Sequence, residues 1–293
     1  MWVSSKWSSA RAFFASSFLV SISATGIIFI FLIVESFPIF RHEGMGFLAG
    51  SEWYPGEVYG ALPMIYGTGV VTFIAVCLAL PLAIGSAIIT SEVLSGRFRL
   101  VIKMMMELLA GIPGVVYGLL GIAILTTVVK NTFNLIDGNS FFTAGILLSI
   151  MILPTVMTLS EDALRSVPRE YRDQSLALGL KGSETIIYAV LPGAMKGIAG
   201  AVLLGIGRAM GETISVMLVI GSLDRIPQPF YNIFTTGQTI TSKLGREGAE
   251  ALGVGYHWNA LAGLGLILFL MVMGIAFIGN TIVGHSAGWE INK

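Results

Sequence analysis

Apolar runs of membrane length, each closed by a polar or charged segment, set the rhythm of this chain. They cover Phe13 to Val34, Val70 to Thr90, Leu108 to Val129, Phe141 to Leu159, Gly197 to Gly221 and Trp258 to Val283. About 20 apolar residues in a helix cross the hydrocarbon core of a bilayer. The pattern therefore predicts an all-α integral membrane protein with six transmembrane helices, their ends set to within a few residues. A secretory signal is the rival reading of the first run, but its apolar region covers only about 7 to 15 residues and ends in a small-residue cleavage site. The length of Phe13 to Val34 favours a retained helix.

The segments between the runs carry their own signals. Glu35 to Gly60 is polar and aromatic, and Pro38, Trp53, Tyr54 and Pro55 predict a loop at the membrane interface, where amphipathic rings settle. Pro81 falls inside the second run, which a membrane helix tolerates when its neighbours satisfy the freed carbonyl. The stretch AGIPGVVYGL, Ala110 to Leu119, combines Pro113 with Gly111, Gly114 and Gly118 and predicts a broken or closely packed helix. Broken membrane helices usually line cavities. Lys130 to Ser140 is a short link, Glu161 to Lys196 a charged loop, and Leu223 to Tyr256 a long exposed loop.

Composition removes several function classes. Hydrophobic residues make up 55% of the 293 residues and charged residues 12%, with mean hydropathy +0.83, where a soluble domain carries about 25% charged residues. A formal net charge of zero leaves no basic block for phosphate neutralisation, so no nucleic-acid partner is expected. The lone Cys77 excludes an internal disulfide framework and a thiolate metal site. No metal site or cofactor is expected, and no catalytic residue is assigned.

Cations set the expected orientation, since Lys and Arg concentrate on cytoplasmic segments. One side collects Lys6, Arg11, Arg97, Arg99, Lys103, Arg165, Arg169, Arg172, Lys181 and Lys196, the other Arg41, Lys130, Arg225, Lys243 and Arg246. That asymmetry places both termini and the Glu161 to Lys196 loop in the cytoplasm. The loop itself reads as a helical hairpin. Pro168 suits a first helical position, Glu170 the positive first turn, and Gly179 a left-handed stop. Ser183 suits the cap of a second short helix that ends before Leu191-Pro192. Leu176, Leu178 and Leu180 add apolar knobs. A solvated connector is the plain alternative; a DNA-binding helix-turn-helix has the wrong position and charge.

Arg208 and Glu212 are the only charges inside a membrane-length run. Each costs about 2.5 to 3.5 kcal/mol at mid-bilayer on insertion scales, so such residues face a bundle interior or water. At i and i+4 on one helix they share a face and can pair. One reading is an ion pair that fixes helix register. The other has Arg208 attract an oxyanion through its planar fork, Glu212 compete for that fork and keep binding reversible, and Thr213 add a hydroxyl. Gly207 and Gly211 flank the pair in a small-xxx-small pattern that predicts close helix approach.

DQSLALGLKGSETIIYAVLP, with Asp173, Gly179, Leu191 and Pro192 in the expected places, resembles the cytoplasmic EAA loop of ABC-importer permeases. GALPMIYGT (Gly60 to Thr68), AGIPGVVYGL, SEDALRSVPREYRDQSLALG (Ser160 to Gly179) and GRAMGETISVMLVIG (Gly207 to Gly221) further resemble phosphate-specific transport permeases of the PstC type. The chain departs from that pattern at Gln174 and Ser175, at Ala189 and Ser183, and at Gly114, where that family usually carries Ser. The resemblance implies the ABC importer permease fold. Residues 1–58 would supply an N-terminal cytoplasmic segment, the first transmembrane helix and an external loop. A core of five transmembrane helices over 59–293 would contain the coupling loop 161–196. It also implies an inner-membrane subunit that is not an enzyme. Its partners would be two ABC ATPase subunits, with the loop docking in a groove on the ATPase, a second, PstA-like permease subunit and an extracytoplasmic phosphate-binding protein. The absence of a P-loop agrees with hydrolysis by the partner. Sulfate or molybdate permeases share RAxGE but typically continue with Phe where Thr213 stands. An autonomous ion-coupled carrier or intramembrane enzyme would need an inverted repeat or a catalytic set that the sequence lacks.

Overall fold

The computed structural model describes residues 2–286, with the side chains of residue 11 and of residues 13–281. Lys6, one of the cations used for orientation, and both chain ends lie outside the described side chains. Six helices among the described residues are long and apolar enough to cross a membrane, so the chain is a multi-pass membrane protein. We number the helices α1 (Trp2–Glu43), α2 (Leu62–Val93), α3 (Gly96–Ala110), α4 (Gly114–Phe133), α5 (Phe141–Ser166), α6 (Arg169–Ala177), α7 (Gly182–Gly211), α8 (Ile214–Val219), α9 (Ile240–Glu247) and α10 (Gly255–Ser286).

Helix α5 is the most deeply buried span. Its Leu147, Leu148, Met151 and Ile152 pack with Val71, Ala75 and Ala79 of α2, Ala209 of α7 and Val216 of α8. Alanines recur every fourth residue along α2, at Ala75, Ala79, Ala83 and Ala87, and all are fully buried. That small stripe lets backbones approach where lipid gives no hydrophobic drive between helices. Nearer the end that carries α6, Val156, Met157 and Leu164 continue the seam with Val190, Ala194 and Ile198. Helix α1 lies at the periphery against α10, with Phe29 stacked on Phe269 and Glu35 accepting from Trp258 Nε1 at 3.0 Å.

Several boundaries differ from the sequence expectation. The loop expected from Glu35 is helix as far as Glu43, because Pro38 forfeits one backbone bond while fully buried Ile39 docks with Leu261 and Leu264 of α10. Two short strands, β1 (Trp53–Tyr54) and β2 (Val58–Tyr59), pair antiparallel about a turn with Pro55 and left-handed Gly56. Trp53 is buried, edge-on to Tyr59 and under Lys243 Nζ, 4.9 Å from its ring centroid. The 223–256 segment is not simply an exposed loop, since α9 turns back into the bundle and buries Ile240, Thr241, Ser242 and Lys243. Lys243 pairs there with Asp224 and Glu247, each at 2.5 Å. A buried cation needs such partners, and the sequence shows only their spacing.

Candidate functional site

Two interrupted helices meet at their interruptions. The first pair is α3 and α4, separated by Gly111, Ile112 and Pro113; Pro113 has no N–H to continue α3 and leaves the helix with ψ 138°. The expected break in AGIPGVVYGL is therefore present. The second pair is α7 and α8, and it was not expected. Helix α7 stops at Gly211, Glu212 is extended with ψ 124°, and α8 restarts at Ile214.

That second break separates Arg208 from Glu212. They do not share a helical face, and no ion pair joins them among the described residues. Arg208, half-buried, donates from Nη1 to Thr155 Oγ1 of α5 at 2.6 Å and from Nη2 to the Ala110 carbonyl at 3.4 Å. Ala110 ends α3, so its carbonyl belongs to the electronegative end of that helix and suits a guanidinium. Tyr117 Oη donates to the neighbouring Leu109 carbonyl at 2.9 Å and braces α4 against α3. Of the five guanidinium N–H groups, two are engaged and three have no partner among the described residues.

Glu212 packs at the same junction, against Gly114. A Cβ built on Gly114 would lie 2.7 Å from Glu212 Oε1, so the carboxylate occupies the space that a side chain at 114 would fill. It stands at the start of α4, the electropositive end of a helix. The Glu212 backbone carbonyl accepts from Thr241 Oγ1 of α9 at 2.7 Å. Thr213 turns its hydroxyl to the Gly211 carbonyl at 3.3 Å, and its methyl meets Gly245 of α9, where a Cβ would come within 2.5 Å. A third element thus closes the junction of the two broken helices.

The close approach predicted for Gly207 and Gly211 is absent, since nothing lies within 4 Å of a Cβ built at either. The intimate seam belongs to Gly114, Gly118 and Gly121 on one face of α4, against Glu212, Ser215 with Leu218, and Val219. Sequence reading noticed those first two glycines through Pro113 but not their partner. Thr155, Tyr117 and Thr241 gave no sequence signal, because each acts across more than one element.

The hairpin forms a separate cluster. Gly179 has φ +88°, the left-handed stop expected of it, while Asp173 is exposed on α6. Pro168 precedes the first helical residue, Arg169, rather than occupying it. The second helix is capped by Glu184, whose Oε2 accepts from the Lys181 N–H at 2.7 Å, rather than by Ser183. It does not end before Leu191-Pro192 but runs on through α7, wound as a π turn at Ile186–Val190. Pro192 lacks the N–H that an α turn would use, and a single wide turn absorbs that loss. Arg172 grips Glu92 at the end of α2, from Nε at 3.1 Å and Nη2 at 2.8 Å, and also donates to the Val167 and Leu164 carbonyls. The Glu92 hydrogen bonds raise the Arg172 pKa further above its usual value. A recess of 290 Å³ opens beside this clamp, lined in part by Arg99, Arg165, Arg169 and Asp173.

Residues 79–287 match the family described as binding-protein-dependent transport system inner membrane component. The chain belongs to that family. Among curated relatives, the permease is 35% identical to a probable ABC transporter permease protein, YqgH, of Bacillus subtilis, over 89% of this chain and 84% of that one. It is 34% identical to the phosphate transport system permease protein PstC of Mesorhizobium japonicum, over 91% and 86% of the two chains. Among solved structures it resembles the inward-facing MetNI methionine ABC transporter, with TM-score 0.59 and 16% identity over 76% of this chain and 94% of that chain. It also resembles a bacterial ABC transporter involved in alginate import, with TM-score 0.58 and 14% identity over 94% and 96%. These two likenesses establish the ABC importer permease fold.

Proposed function

We propose that this permease translocates inorganic phosphate across the cytoplasmic membrane, both termini inside, with Arg208 as the anion-attracting group of the pathway. The supporting observation is Arg208 itself, a half-buried guanidinium with three donors that have no partner among the described residues, at the junction of two broken helices. A planar fork with N–H groups to spare suits a tetrahedral oxyanion. Glu212 and Thr213 border the same junction and complete the proposed pathway. The name printed for the PstC relatives supports phosphate as the cargo.

The assembly follows the same reading. The importer sits on two ATPase subunits, and the hairpin of this chain docks in a groove on the ATPase, where Asp173, Gly179 and the exposed Leu178 and Tyr188 present both charge and apolar surface, while Leu191 and Pro192 carry the movement into α7. A PstA-like second permease completes a heterodimer, and a phosphate-binding protein delivers cargo from outside. Residues 1–58 form the N-terminal unit of this reading and 59–293 its transport core. We expect the chain, reconstituted with these partners in proteoliposomes, to drive ATP-dependent phosphate uptake in preference to sulfate. Arg208→Lys should impair uptake, and Arg208→Gln should lower it by roughly 10- to 100-fold, the worth of a hydrogen bond to a charged group. A preference for sulfate would overturn the cargo. Normal uptake by Arg208→Gln would remove the arginine from the pathway.

A further inference from the structure

We infer that the recess beside the Arg172 clamp binds a phosphate-bearing anion, at a site separate from Arg208 and its junction. Arg172 gives the recess its shape. It donates two hydrogen bonds to Glu92 at the end of α2 and one each to the Leu164 and Val167 carbonyls where α5 ends, which locks α2, α5 and α6 together. The other three arginines lining the 290 Å³ recess, Arg99, Arg165 and Arg169, make no side-chain hydrogen bond among the described residues. Arg99 Nε is buried without a hydrogen-bond partner, 3.4 Å from Glu161 Oε1, and Arg165 Nη1 stands 3.8 Å from the same oxygen. Arg169 has no ion pair there either.

Four guanidiniums thus face two carboxylates in the lining, Glu92 and Asp173, and counting Glu161 as well still leaves a cation in excess. Glu92 is taken by Arg172, so exposed Asp173 is the remaining internal competitor, and one carboxylate cannot serve three forks. Each fork presents five donors in a plane that matches phosphate oxygens. Two sources carry that chemistry. In the orientation proposed above this end of the bundle faces the cytoplasm, where phosphate is released and where basic pockets between membrane helices hold anionic lipid headgroups. Val93 and Phe98, exposed and apolar, adjoin Glu92 and Arg99 in the chain and offer acyl chains a surface at the same end. The sources rest on that orientation; the cluster of unbonded arginines does not.

The test follows thermal unfolding of the purified, fully assembled transporter as wild type, Arg169→Gln and Arg208→Gln. One arm adds potassium phosphate against potassium chloride at equal ionic strength, and the other adds phosphatidylglycerol against phosphatidylcholine. The expected result is a raised midpoint in wild type and Arg208→Gln, with the concentration for half the shift about tenfold higher in Arg169→Gln, the worth of a hydrogen bond to a charged group. A shift with phosphate alone identifies the free anion, a shift with phosphatidylglycerol alone the lipid headgroup, and a shift with both a site that either one fills. No shift in either arm overturns the inference, as does an equal response from wild type and Arg169→Gln. A response lost in Arg208→Gln but kept in Arg169→Gln also overturns it, and supports the pathway reading of Arg208. Arg169→Lys keeps the charge without the fork and should fall between, and it serves as the second variant should glutamine fail to accumulate. A cryo-EM map showing an ATPase carboxylate seated in the recess would assign it to that partner instead and overturn the inference.

Discussion

Charged side chains in this bundle are placed by carbonyls and cations far away in sequence. Glu161 is 2% exposed and collects Lys103 Nζ at 3.1 Å, Arg99 Nε at 3.4 Å and Arg165 Nη1 at 3.8 Å. Lys103 also reaches Asp162 at 2.5 Å, and that bond is the main reason its pKa rises. A raised lysine pKa stabilises the fold below the ordinary value of 10.5 and ceases to do so only as pH climbs past it. The cluster should therefore hold unchanged across neutral pH. Glu161→Gln, by contrast, removes a buried anion that faces three cations. We expect it to lower stability by roughly 1.5 to 3 kcal/mol, the scale of a hydrogen bond to a charged group, in thermal unfolding of the detergent-solubilised protein.

Interruptions are what make the elements useful. The α4 seam needs glycine for different reasons along its length. At Gly114 the obstacle is a mobile carboxylate, whereas at Gly118 a Cβ would meet the Ser215 Cα at 2.9 Å, a backbone atom that cannot rotate away. Gly118→Ala should thus separate α4 from α8 and cost about 1 to 3 kcal/mol, the usual range for overpacking. Reduced membrane abundance and earlier thermal unfolding would register it. In the hairpin, Gly179 has open space around it but φ +88°. A left-handed backbone costs an L-residue about 1 to 2 kcal/mol, and a β-branched residue more. Gly179→Val is expected to insert normally yet hydrolyse ATP without proportionate uptake. Gly179→Ala should fall between it and wild type.

At the scale of the molecule, the proposed orientation puts the hairpin inside and the 223–256 segment outside. Tyr231 is 71% exposed and suits a probe, whereas Thr236 is half-buried against Gly221. In a Cys77-free background, Tyr231→Cys should react with an impermeant thiol reagent in intact cells. Lys181→Cys should react only after the membrane is opened. Reversed labelling would invert the topology and move the hairpin away from any cytoplasmic ATPase.

Six membrane spans, the break at Pro113 and the left-handed turn at Gly179 were legible in the sequence because each is local. Span length is set by bilayer thickness, Pro113 lacks its own N–H, and Gly179 alone tolerates its φ. Arg208 and Glu212 were legible as residues, since charge in an apolar run is costly wherever it points. Their relation was not. Helical spacing put them on one face, but the tertiary structure stops α7 at Gly211, ties Glu212 to Thr241 and gives Arg208 the Ala110 carbonyl. The same holds for α9, whose polar composition reads as a loop until Asp224 and Glu247 are seen to neutralise buried Lys243. One-dimensional pattern fixes where a helix can lie in a bilayer, because that depends on summed transfer energy along the chain. Which donor meets which acceptor depends on helices brought together from distant parts of the sequence, and only the packed bundle decides it.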